Sequence, residues 1–577
     1  MSKRSSKDSL RALSRPRRSE PFEELHRRRR FLCSSALTAL GFAADSLFSH
    51  RDLQTHGLVQ AQQKVRKIWI DAEEVLGEIN RNIYGHMAEH VGRAVYDGIW
   101  VGKDSPIPND EGFRRDAIQA LRRLQTPQLR WPGGCFADAY HWKDGIGPSD
   151  RRPKQWNLWW EQYESNAMGT DEFIRLCRLV GAEPYVCLNL GSGSVQEAVE
   201  WVEYCNSDKD TAPARLRAAN GNASPHGVRY WAVGNENWGC GGLYDPADYA
   251  REYLRYALYL KHWLWPSRGI SAVPLDLVAV GHTQRDWNQI FLEKVRDWLP
   301  LVDHISIHHY FRVYPGQPLN MPAGSPAPTS GDVQFSDNEY YLLLSRVDEL
   351  KKHIQDTVDL IGYYAAGRKK IGLVIDEWGA WHPLAVFENG FFQQNTLRDA
   401  LIAGSVLNLF HQRCRDITMA NLAQAFNVLQ SIGLTQKSQM ILTPTFYVLE
   451  MYRQHQGAKL VRSRIDTPAY ELQDGNRKVT RDSVNVSVSL KQNRLLLTAV
   501  NEDLSRDLEF DVVLRGAKVL KATGFRLGSQ NVRDHNSFDS PERVKPASFT
   551  PELKGSDLRL QLPAHSLSAV EIEVAIG

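Results

Sequence analysis

Two apolar runs in the sequence each end in a glutamate, and this repeated pattern is where we look first for chemistry. The run Arg229–Trp238 passes into Gly-Asn-Glu and places Asn235 and Glu236 at its tip, while Ile371–Trp378 carries Glu377 near its end. A buried strand needs the apolar residues but not a carboxylate behind them. In a parallel β/α barrel, side chains at the carboxyl ends of strands face the active site.

A pair of carboxylates is the catalytic machinery that cleaves glycosidic bonds. A retaining glycosidase needs one protonated acid and one ionised carboxylate about 5 Å apart. The acid protonates the departing oxygen, the carboxylate attacks the anomeric carbon, and water that the first residue activates then cleaves the glycosyl ester. Glu236 and Glu377 can fill these parts if their surroundings push their pKa values apart. A salt bridge or a helix cap would explain one such glutamate. It does not explain why two separate strands each end in a glutamate.

Elements that could position this pair alternate along the chain from about residue 79 to residue 455. The segments that read as strands are Ile79–His86, Gln128–Trp131, Pro184–Leu190, the run ending at Glu236, Leu275–Val280, Asp303–His308, the run ending at Glu377, and one strand within 416–430. Helical patterns separate them. Eight strands interleaved with helices predict an α/β fold of the (β/α)8 TIM barrel type over residues 79–455.

The pattern changes after the predicted barrel. In residues 456–577 short segments alternate apolar and polar residues, turn residues separate them, and helical runs vanish. This predicts an all-β antiparallel sandwich, jelly-roll-like, as the C-terminal domain. An early alternating strand within residues 64–78 precedes the barrel, and we expect it to pair into the sandwich.

The first 61 residues differ in composition from the rest. They carry 12 Lys/Arg against 6 Asp/Glu, and Arg27-Arg-Arg-Arg-Phe-Leu32 leads directly into an apolar run that reaches about Ala44. This pattern is typical of a twin-arginine export signal followed by a flexible segment. It predicts an exported protein, periplasmic or extracellular, and a cytoplasmic one if the leader does not function. A basic disordered tail is the alternative.

Composition excludes several other classes of function. Without residues 1–61 the net charge of +3 becomes −3, so the basicity belongs to the leader and no nucleic-acid partner is expected. No later apolar run is long enough for stable membrane insertion. The seven cysteines form no CxxC or Cys/His spacing, which predicts no metal site. We expect free thiols, because twin-arginine cargo folds in a reducing compartment.

Several longer motifs resemble those of glycoside hydrolase family 51, the α-L-arabinofuranosidases. They are Tyr84–Arg93, Arg130–Phe136, His141–Pro148, Asn189–Gly193, Trp231–Gly239, Ile305–Tyr310 and Leu562–Ser566. The resemblance runs from about residue 65 to the C-terminus. It implies that Glu236 is the acid/base and Glu377 the nucleophile of a retaining, exo-acting enzyme.

The resemblance also implies a set of substrate-binding residues. Asn235 would bind the 2-hydroxyl, Glu89 other arabinose hydroxyls and Cys135 the pocket wall, while His308 and Tyr310 would lie by the nucleophile and Gln424 would contact the sugar. Two positions stay open at this stage. Strand alternation sends His308 and His309 to opposite faces, and Gln430 competes with Gln424.

The expected substrate is an arabinose-containing oligo- or polysaccharide such as arabinan or arabinoxylan, with no cofactor, since two carboxylates suffice. The resemblance implies a homo-oligomer, often a hexamer. One rival hypothesis is another retaining barrel glycosidase, such as an endo-β-glucanase, which would need an open groove. The other is a catalytically silent sugar-binding protein, which would not need two glutamates on separate strands.

Overall fold

The structure, a computed structural model, describes residues 66–262, 269–314, 331–554 and 557–576. The predicted leader, residues 1–61, lies outside these ranges. In the described ranges no helix combines the length and the apolar character that crossing a bilayer requires.

The described elements follow the predicted alternation of strands and helices. The first strands are β1 (Arg66–Glu78), β2 (Gly85–Met87), β3 (Asn109–Asp110), β4 (Phe113–Arg114), β5 (Gln128–Trp131), β6 (Gln155–Asn157), β7 (Gln162–Glu164), β8 (Glu183–Leu188), β9 (Tyr230–Val233), β10 (Asp276–Ala279), β11 (His304–Phe311), β12 (Gly372–Ala380) and β13 (Ile417–Leu422). The helices are α1 (Arg115–Arg123), α2 (Thr170–Val180), α3 (Val195–Asn206), α4 (Ala212–Ala219), α5 (Pro246–Lys261), α6 (Arg285–Val295), α7 (Asp337–Ala365), α8 (Leu397–Gln412) and α9 (Pro444–Tyr452).

Eight parallel strands close into a barrel, which confirms the predicted fold class. In chain order they are β2, β5, β8, β9, β10, β11, β12 and β13, and β13 pairs with β2 to complete the ring. Helices cover the barrel, so both faces of its strands are buried: all nine residues of β12 are buried, including Asp376 and Glu377. Glu236 follows the fourth barrel strand and Glu377 lies in the seventh.

The first barrel strand is shorter than the predicted segment Ile79–His86. Residues Arg81–Tyr84 form a 3-10 turn instead, and only Gly85–Met87 pair with the neighbouring strands. The Asn80 side chain accepts a hydrogen bond from the Asn82 backbone at 3.0 Å and so begins the turn. Asparagine favours such local caps over strand pairing, an effect that apolar periodicity does not reveal.

A two-stranded hairpin of β14 (Gly433–Gln436) and β15 (Gln439–Leu442) precedes α9, and the described chain from β16 onward is all-β. Its strands are β16 (Lys459–Ile465), β17 (Ala469–Asp474), β18 (Arg477–Asp482), β19 (Val484–Lys491), β20 (Arg494–Asn501), β21 (Leu508–Arg515), β22 (Ala517–Leu527), β23 (Ala547–Phe549), β24 (Glu552–Lys554), β25 (Asp557–Leu562) and β26 (Ser566–Ile576). Ten strands share one hydrogen-bonded order, β23-β22-β26-β20-β19-β16-β1-β21-β25-β24. Side chains from β20, β21, β25 and β26 meet in one apolar core, so the sheet curls over and its halves pack as a sandwich.

The strand that precedes the barrel completes this sandwich. β1 pairs antiparallel with β16 and parallel with β21, and its residues Ile68 and Ile70 are buried in the sandwich core. The parallel pair departs from the antiparallel arrangement of the other sandwich pairings. β1 precedes the barrel strands in the sequence, and its partners β16 and β21 follow them. The barrel segment of the chain therefore lies, in sequence, between two segments of the same sheet.

Candidate active site

Glu377 lies in a buried, polar position at the mouth of the barrel. Tyr310 donates a hydrogen bond to its Oε2 at 2.7 Å and Arg130 donates one to its Oε1 at 2.8 Å. Burial works to raise the pKa of Glu377, but His308, Arg130 and Tyr310 together outweigh burial and lower the pKa. The arrangement therefore keeps Glu377 ionised, as a nucleophile must be.

Arg130 is a site residue whose role the sequence did not reveal. Its guanidinium is fully buried, donates to Asn235 Oδ1 at 2.6 Å, and forms ion pairs with Glu377 and Asp376. Tyr185 donates a hydrogen bond to Asp376 at 2.9 Å, so the side chain of Asp376 is fixed in place as well. A signal was present: an arginine in the predicted strand Gln128–Trp131 must be paired if it is buried.

Glu236 faces Glu377 across the pocket and is the more exposed of the two. The side chain of Glu236 is 21% exposed and that of Glu377 is 6% exposed. His308 Nδ1 lies 2.9 Å from Glu236 Oε1 and 3.6 Å from Glu377 Oε2. Carboxylate oxygens of the two glutamates lie within 4.8 Å of each other and of a His308 ring nitrogen.

Strand alternation separates the two neighbouring histidines. His308 bridges the glutamates, whose charges raise its pKa against the lowering effect of burial. His309 points out of the barrel toward α7, where it packs on His353, and burial lowers its pKa to about 3. Because such a grouping of Glu236, His308 and Glu377 could also hold a metal ion, the expectation of a metal-free site stays a prediction.

Glu89 and Gln424 form a second polar corner of the pocket. Gln424 donates to Glu89 Oε2 at 3.2 Å, and Trp160 Nε1 donates to Glu89 Oε1 at 3.0 Å. Burial, followed by the charge of Glu377, raises the pKa of Glu89 to about 8. The competing residue Gln430 is used elsewhere: its Oε1 accepts from the Ala380 backbone and its Nε2 donates to the Asp399 carbonyl.

Asn235 is held on both sides. Arg130 donates to its side-chain oxygen, and its backbone N–H donates to Asp138 Oδ2 at 3.1 Å. Asp138 Oδ1 accepts from the backbones of Leu190 and Gly191, each at 2.9 Å. Burial raises the pKa of Asp138 to about 7 although these N–H groups oppose the rise. This carboxylate, which sequence reasoning overlooked, ties the loops after three successive barrel strands together.

The expectation of free thiols is wrong for one pair of cysteines. Cys135 and Cys240 form a disulfide across 105 residues of sequence, whereas Cys177, Cys187, Cys205 and Cys414 are free and buried. Cys135 follows the second barrel strand and Cys240 follows the fourth, so the pairing depends on barrel closure, which sequence spacing does not show. Cys240 Sγ lies 3.9 Å from Glu236 Oε2, which makes the bridge part of the site wall.

The glutamates open into a cavity of about 320 Å³. It brings together seven of the eight predicted site residues, with His308 directly behind the two glutamates. Beyond these, Arg312 lines the cavity and stacks on the Trp381 ring at 4.0 Å, and the other walls are mostly aromatic and apolar and include Trp160, Trp238, Phe391 and Leu429. A cavity this small is at the lower end of ligand pockets and suits one sugar ring.

Two family models and several known proteins at 30% identity or more point to one family. The family model described as the α-L-arabinofuranosidase 1 domain matches residues 120–317, and the one described as the α-L-arabinofuranosidase C-terminal domain matches residues 376–566. The crystal structure of the family 51 arabinofuranosidase from Xanthomonas axonopodis pv. citri covers 88% of this chain and all of its own, with a TM-score of 0.80 and 30% identity. The protein described as an intracellular exo-α-L-arabinofuranosidase of Bacteroides ovatus is 38% identical over 89% of this chain and 96% of its own length. This chain belongs to glycoside hydrolase family 51.

Family 51 membership makes the chain a glycoside hydrolase and accounts for the layout of its fold. An arabinose complex of the α-L-arabinofuranosidase from Thermotoga maritima is also similar, with a TM-score of 0.77 and 31% identity over 88% of this chain. The resemblance seen in the sequence motifs is thus confirmed.

Proposed function

We propose that this family 51 enzyme is a retaining, exo-acting α-L-arabinofuranosidase. The observation that carries the mechanism is the approach of the Glu236 and Glu377 carboxylate oxygens to within 4.8 Å. Retaining glycosidases hold their carboxyl groups about 5 Å apart, whereas inverting enzymes need about 6.5–9.5 Å to admit a water molecule. Double displacement through a covalent glycosyl ester follows from the shorter separation.

The surroundings of each glutamate support its assigned part. Glu377 is the nucleophile: it is ionised, and the hydrogen bonds from Tyr310 and Arg130 aim its oxygens into the cavity. Glu236 is the acid/base: it lies on the more exposed side, where a leaving group departs and a water molecule enters. His308 contacts both carboxylates, so it orients Glu236 both when that residue carries its proton and after it has given the proton to the leaving group.

The remaining pocket residues bind the arabinose ring. Asn235 next to the acid/base is the donor for the 2-hydroxyl, whose hydrogen bond strengthens in an oxocarbenium-like transition state. Glu89 and Gln424 meet hydroxyls on the far side of the ring, and Cys135 contributes the wall between them. A cavity of about 320 Å³ favours removal of one terminal sugar over cleavage within a chain, which argues against the endo-β-glucanase alternative.

The first experiment is hydrolysis of an aryl α-L-arabinofuranoside by the wild type and by Glu377→Ala, with proton NMR of the first-formed sugar. We expect turnover with retained configuration in the wild type and a loss of about 10⁴-fold or more in the variant. Cleavage of a β-glucan in place of the arabinofuranoside would keep the two glutamates but overturn the arabinose assignment. An inverted product would overturn the mechanism.

We also propose that residues 1–61 direct export, so that the enzyme meets arabinan or arabinoxylan side chains outside the cytoplasm. The twin-arginine-like sequence Arg27-Arg-Arg-Arg-Phe-Leu32 supports this. The relative from Bacteroides ovatus is, by contrast, described as intracellular. Cell fractionation of the wild type and of a variant with Arg27–Arg30 replaced by lysine tests the proposal; activity confined to the cytoplasm in both would overturn it.

Finally, we propose that the enzyme is a homo-oligomer, a hexamer by resemblance to its family. Light scattering of the purified full chain measures its mass directly against the 65.6 kDa of one chain. A mass that stays at one chain over a wide concentration range would contradict the proposal.

A further inference from the structure

A cleft of about 620 Å³ lies between the barrel and the sandwich. Helices α7 and α8 form one wall, and strands β16, β18 and β19 form the other. Of the described residues, none lines both this cleft and the catalytic pocket. Gln412, which ends α8, is part of the lining, and barrel helices run opposite to the strands. The cleft therefore extends toward the end of the barrel away from the mouth and is separate from the site of hydrolysis.

Hydrogen bonds across the floor of the cleft join its two walls. Asn485 on β19 donates to Ser405 Oγ on α8 at 2.9 Å, and Asn408 on α8 donates to Asn485 Oδ1 at 2.7 Å. Ser487 Oγ on β19 lies 2.9 Å from His411 Nδ1. These bonds hold the walls at a fixed separation, and they leave the floor of the cleft lined by hydroxyl and amide groups.

Arg481 is the buried cation of the cleft. Its side chain is 10% exposed, and its Nε and Nη2 donate to the two carboxylate oxygens of Glu502 at 2.9 and 3.2 Å. Nη1 lies 2.8 Å from Asp348 Oδ2 but makes no hydrogen bond to that oxygen or to any other atom of the described residues. The Asp348 side chain is 59% exposed, so water screens this ion pair. A buried guanidinium nitrogen in this state can donate to an acceptor on a ligand.

The rim of the cleft adds positive charge. Three further cationic residues line the cleft and are exposed: Lys351, Arg462 and Arg464. Arg462 pairs with Glu74 at 2.6 Å, whereas the other two form no ion pair with a described residue. With Arg481 the described lining has four cations against two carboxylates, Asp348 and Asp482. The chain after residue 61 is by contrast net negative, so this local excess of positive charge favours an anionic ligand.

An exposed indole lies at the margin of the cleft. Trp69 on β1 is directly opposite Arg464 in the antiparallel pair of β1 with β16. Its neighbours Ile68 and Ile70 are in the sandwich core, so strand alternation turns Trp69 outward. The Arg464 guanidinium lies 5.7 Å from the centroid of the Trp69 ring. An aromatic face beside cations, hydroxyls and amides suits a sugar ring that carries a carboxylate.

We propose that this cleft binds a uronate oligosaccharide, a sugar chain whose rings carry carboxylates. Arg481 and the rim cations bind the carboxylates, the amide and hydroxyl side chains bind the sugar hydroxyls, and Trp69 contacts a ring face. Since a cavity of about 320 Å³ suits one ring, a cleft of about 620 Å³ admits about two. The site adds a second contact with polysaccharide, and it does not depend on which sugar the catalytic pocket cleaves.

The test is isothermal titration calorimetry of the full chain with a galacturonate trimer. We expect the trimer to bind with a Kd of about 1 mM or lower, and xylotriose, a neutral trimer, to bind about tenfold more weakly. A rise in NaCl from about 20 to 200 mM should weaken binding of the galacturonate trimer, because the rim cations are exposed.

Three variants change the charge of the cleft in both directions. Lys351→Gln and Arg464→Gln each remove one cation, and we expect each to weaken binding of the trimer by about threefold to tenfold. Asp348→Asn removes the carboxylate beside Arg481 Nη1, and we expect it to strengthen binding by about threefold, a direction that misfolding cannot produce. Lys352→Gln is the matched control, because Lys352 is exposed on the same helix, pairs with Asp356 and is not part of the described lining.

Trp69→Ala and inorganic phosphate separate a sugar site from a plain anion site. We expect Trp69→Ala to weaken binding of the trimer by about threefold, and phosphate to displace the trimer only at about tenfold higher concentration or more. Phosphate that displaces the trimer at equal concentration would show a general anion site and overturn the sugar assignment.

The remaining outcomes are equally decisive. A trimer that does not bind, or that binds equally to the wild type and to all three charge variants, would overturn the cleft assignment. A change in mass of those variants by light scattering would show that the cleft is a contact between copies of the chain, which also overturns it. Hydrolysis of an aryl α-L-arabinofuranoside should be unchanged in every variant. A wild type that does not hydrolyse it would overturn the proposed function and leave the uronate assignment intact.

Discussion

At the scale of single residues, the site shows how one environment keeps one carboxylate ionised and a neighbour protonated. Glu377 and Glu89 are both buried, yet the pKa of Glu377 is lowered and that of Glu89 is raised to about 8. The difference lies in the partners. His308, Arg130 and Tyr310 lower the pKa of Glu377, whereas burial and the charge of Glu377 raise the pKa of Glu89 by more than its neutral donors and the charge of Arg130 lower it.

Tyr310→Phe tests the stabilisation of the ionised nucleophile. Removing the hydrogen bond at 2.7 Å from Tyr310 to Glu377 should raise the lowered pKa of Glu377. A carboxylate must lose its proton to attack, so the acid limb of the kcat/KM profile should move to higher pH, by up to about one unit. Tyr470→Phe, which breaks a tyrosine–carboxylate bond to Glu502 far from the site, serves as the control. An acid limb that moves equally in both variants, or in neither, would contradict this account of Glu377.

Glu89→Gln tests whether Glu89 carries a proton at neutral pH. Carbon NMR of the enzyme labelled at glutamate carboxyl groups should show one resonance that titrates near pH 8 in the wild type and is absent from the variant. The resonance should persist in Glu200→Gln, whose surface carboxylate has a lowered pKa. We expect Glu89→Gln to keep more activity than Glu89→Ala, because glutamine resembles the neutral acid in shape and donors.

At the scale of elements, the site depends on loops that follow different barrel strands. The disulfide joins the loop after β5 to the loop after β9, and Asp138 joins the same two loops to the one after β8. These cross-links fix the backbone at Asn235 and hence the side chain of Glu236. The sequence of each loop shows the residues that form these cross-links, but it does not show which residue of another loop each of them binds.

Cys240→Ser tests the covalent link. Opening a loop of 105 residues should lower the free energy of unfolding by about 2–4 kcal/mol, measured by urea denaturation. Dithiothreitol should destabilise the wild type by a similar amount and leave the variant unaffected, because the variant has no bridge to reduce. Two reactive thiols should appear in the reduced native wild type, since the other described cysteines are buried. An equal response of the variant to the reductant would rule out this bridge as the cause.

At the scale of the whole molecule, the two ends of the described chain meet in one sheet. β1 precedes the barrel but fills a central position between β16 and β21, which follow it. The sandwich therefore forms only when strands from before and after the barrel pair with one another. Loss of β1 would leave the edges of β16 and β21 unpaired and the apolar core of the sandwich open.

Ile70→Ala tests this closure. Ile70 is 1% exposed in the sandwich core, so truncation should cost about 2–4 kcal/mol of stability for the full chain. Val75→Ala in the same strand is the control; its side chain is 43% exposed and should change stability by less than about 0.5 kcal/mol. Equal unfolding midpoints for the two variants would contradict the central position of β1.

Much of the fold and part of the site could be predicted from the sequence. The predicted strand Gln128–Trp131 has the same bounds in the structure, because it is buried along its whole length and turn residues follow it directly. The start of the first barrel strand could not be found this way, since the cap at Asn80 is a local polar choice. The β6–β7 hairpin was also missed, because its aromatic residues Trp156 and Tyr163 are exposed and belong to no apolar core.

The sequence by itself determined the barrel, the sandwich and the two glutamates, because each is recorded in residues that lie close together along the chain. Tertiary structure decided the rest. It places the side chains of His308 and Gln424 in the site, whereas the side chains of His309 and Gln430 bind or pack elsewhere. It paired Cys135 with Cys240, and it surrounded Glu377 with Arg130 and Tyr310 from other strands. These are contacts between residues distant in sequence, and only closure of the barrel brings them within bonding distance.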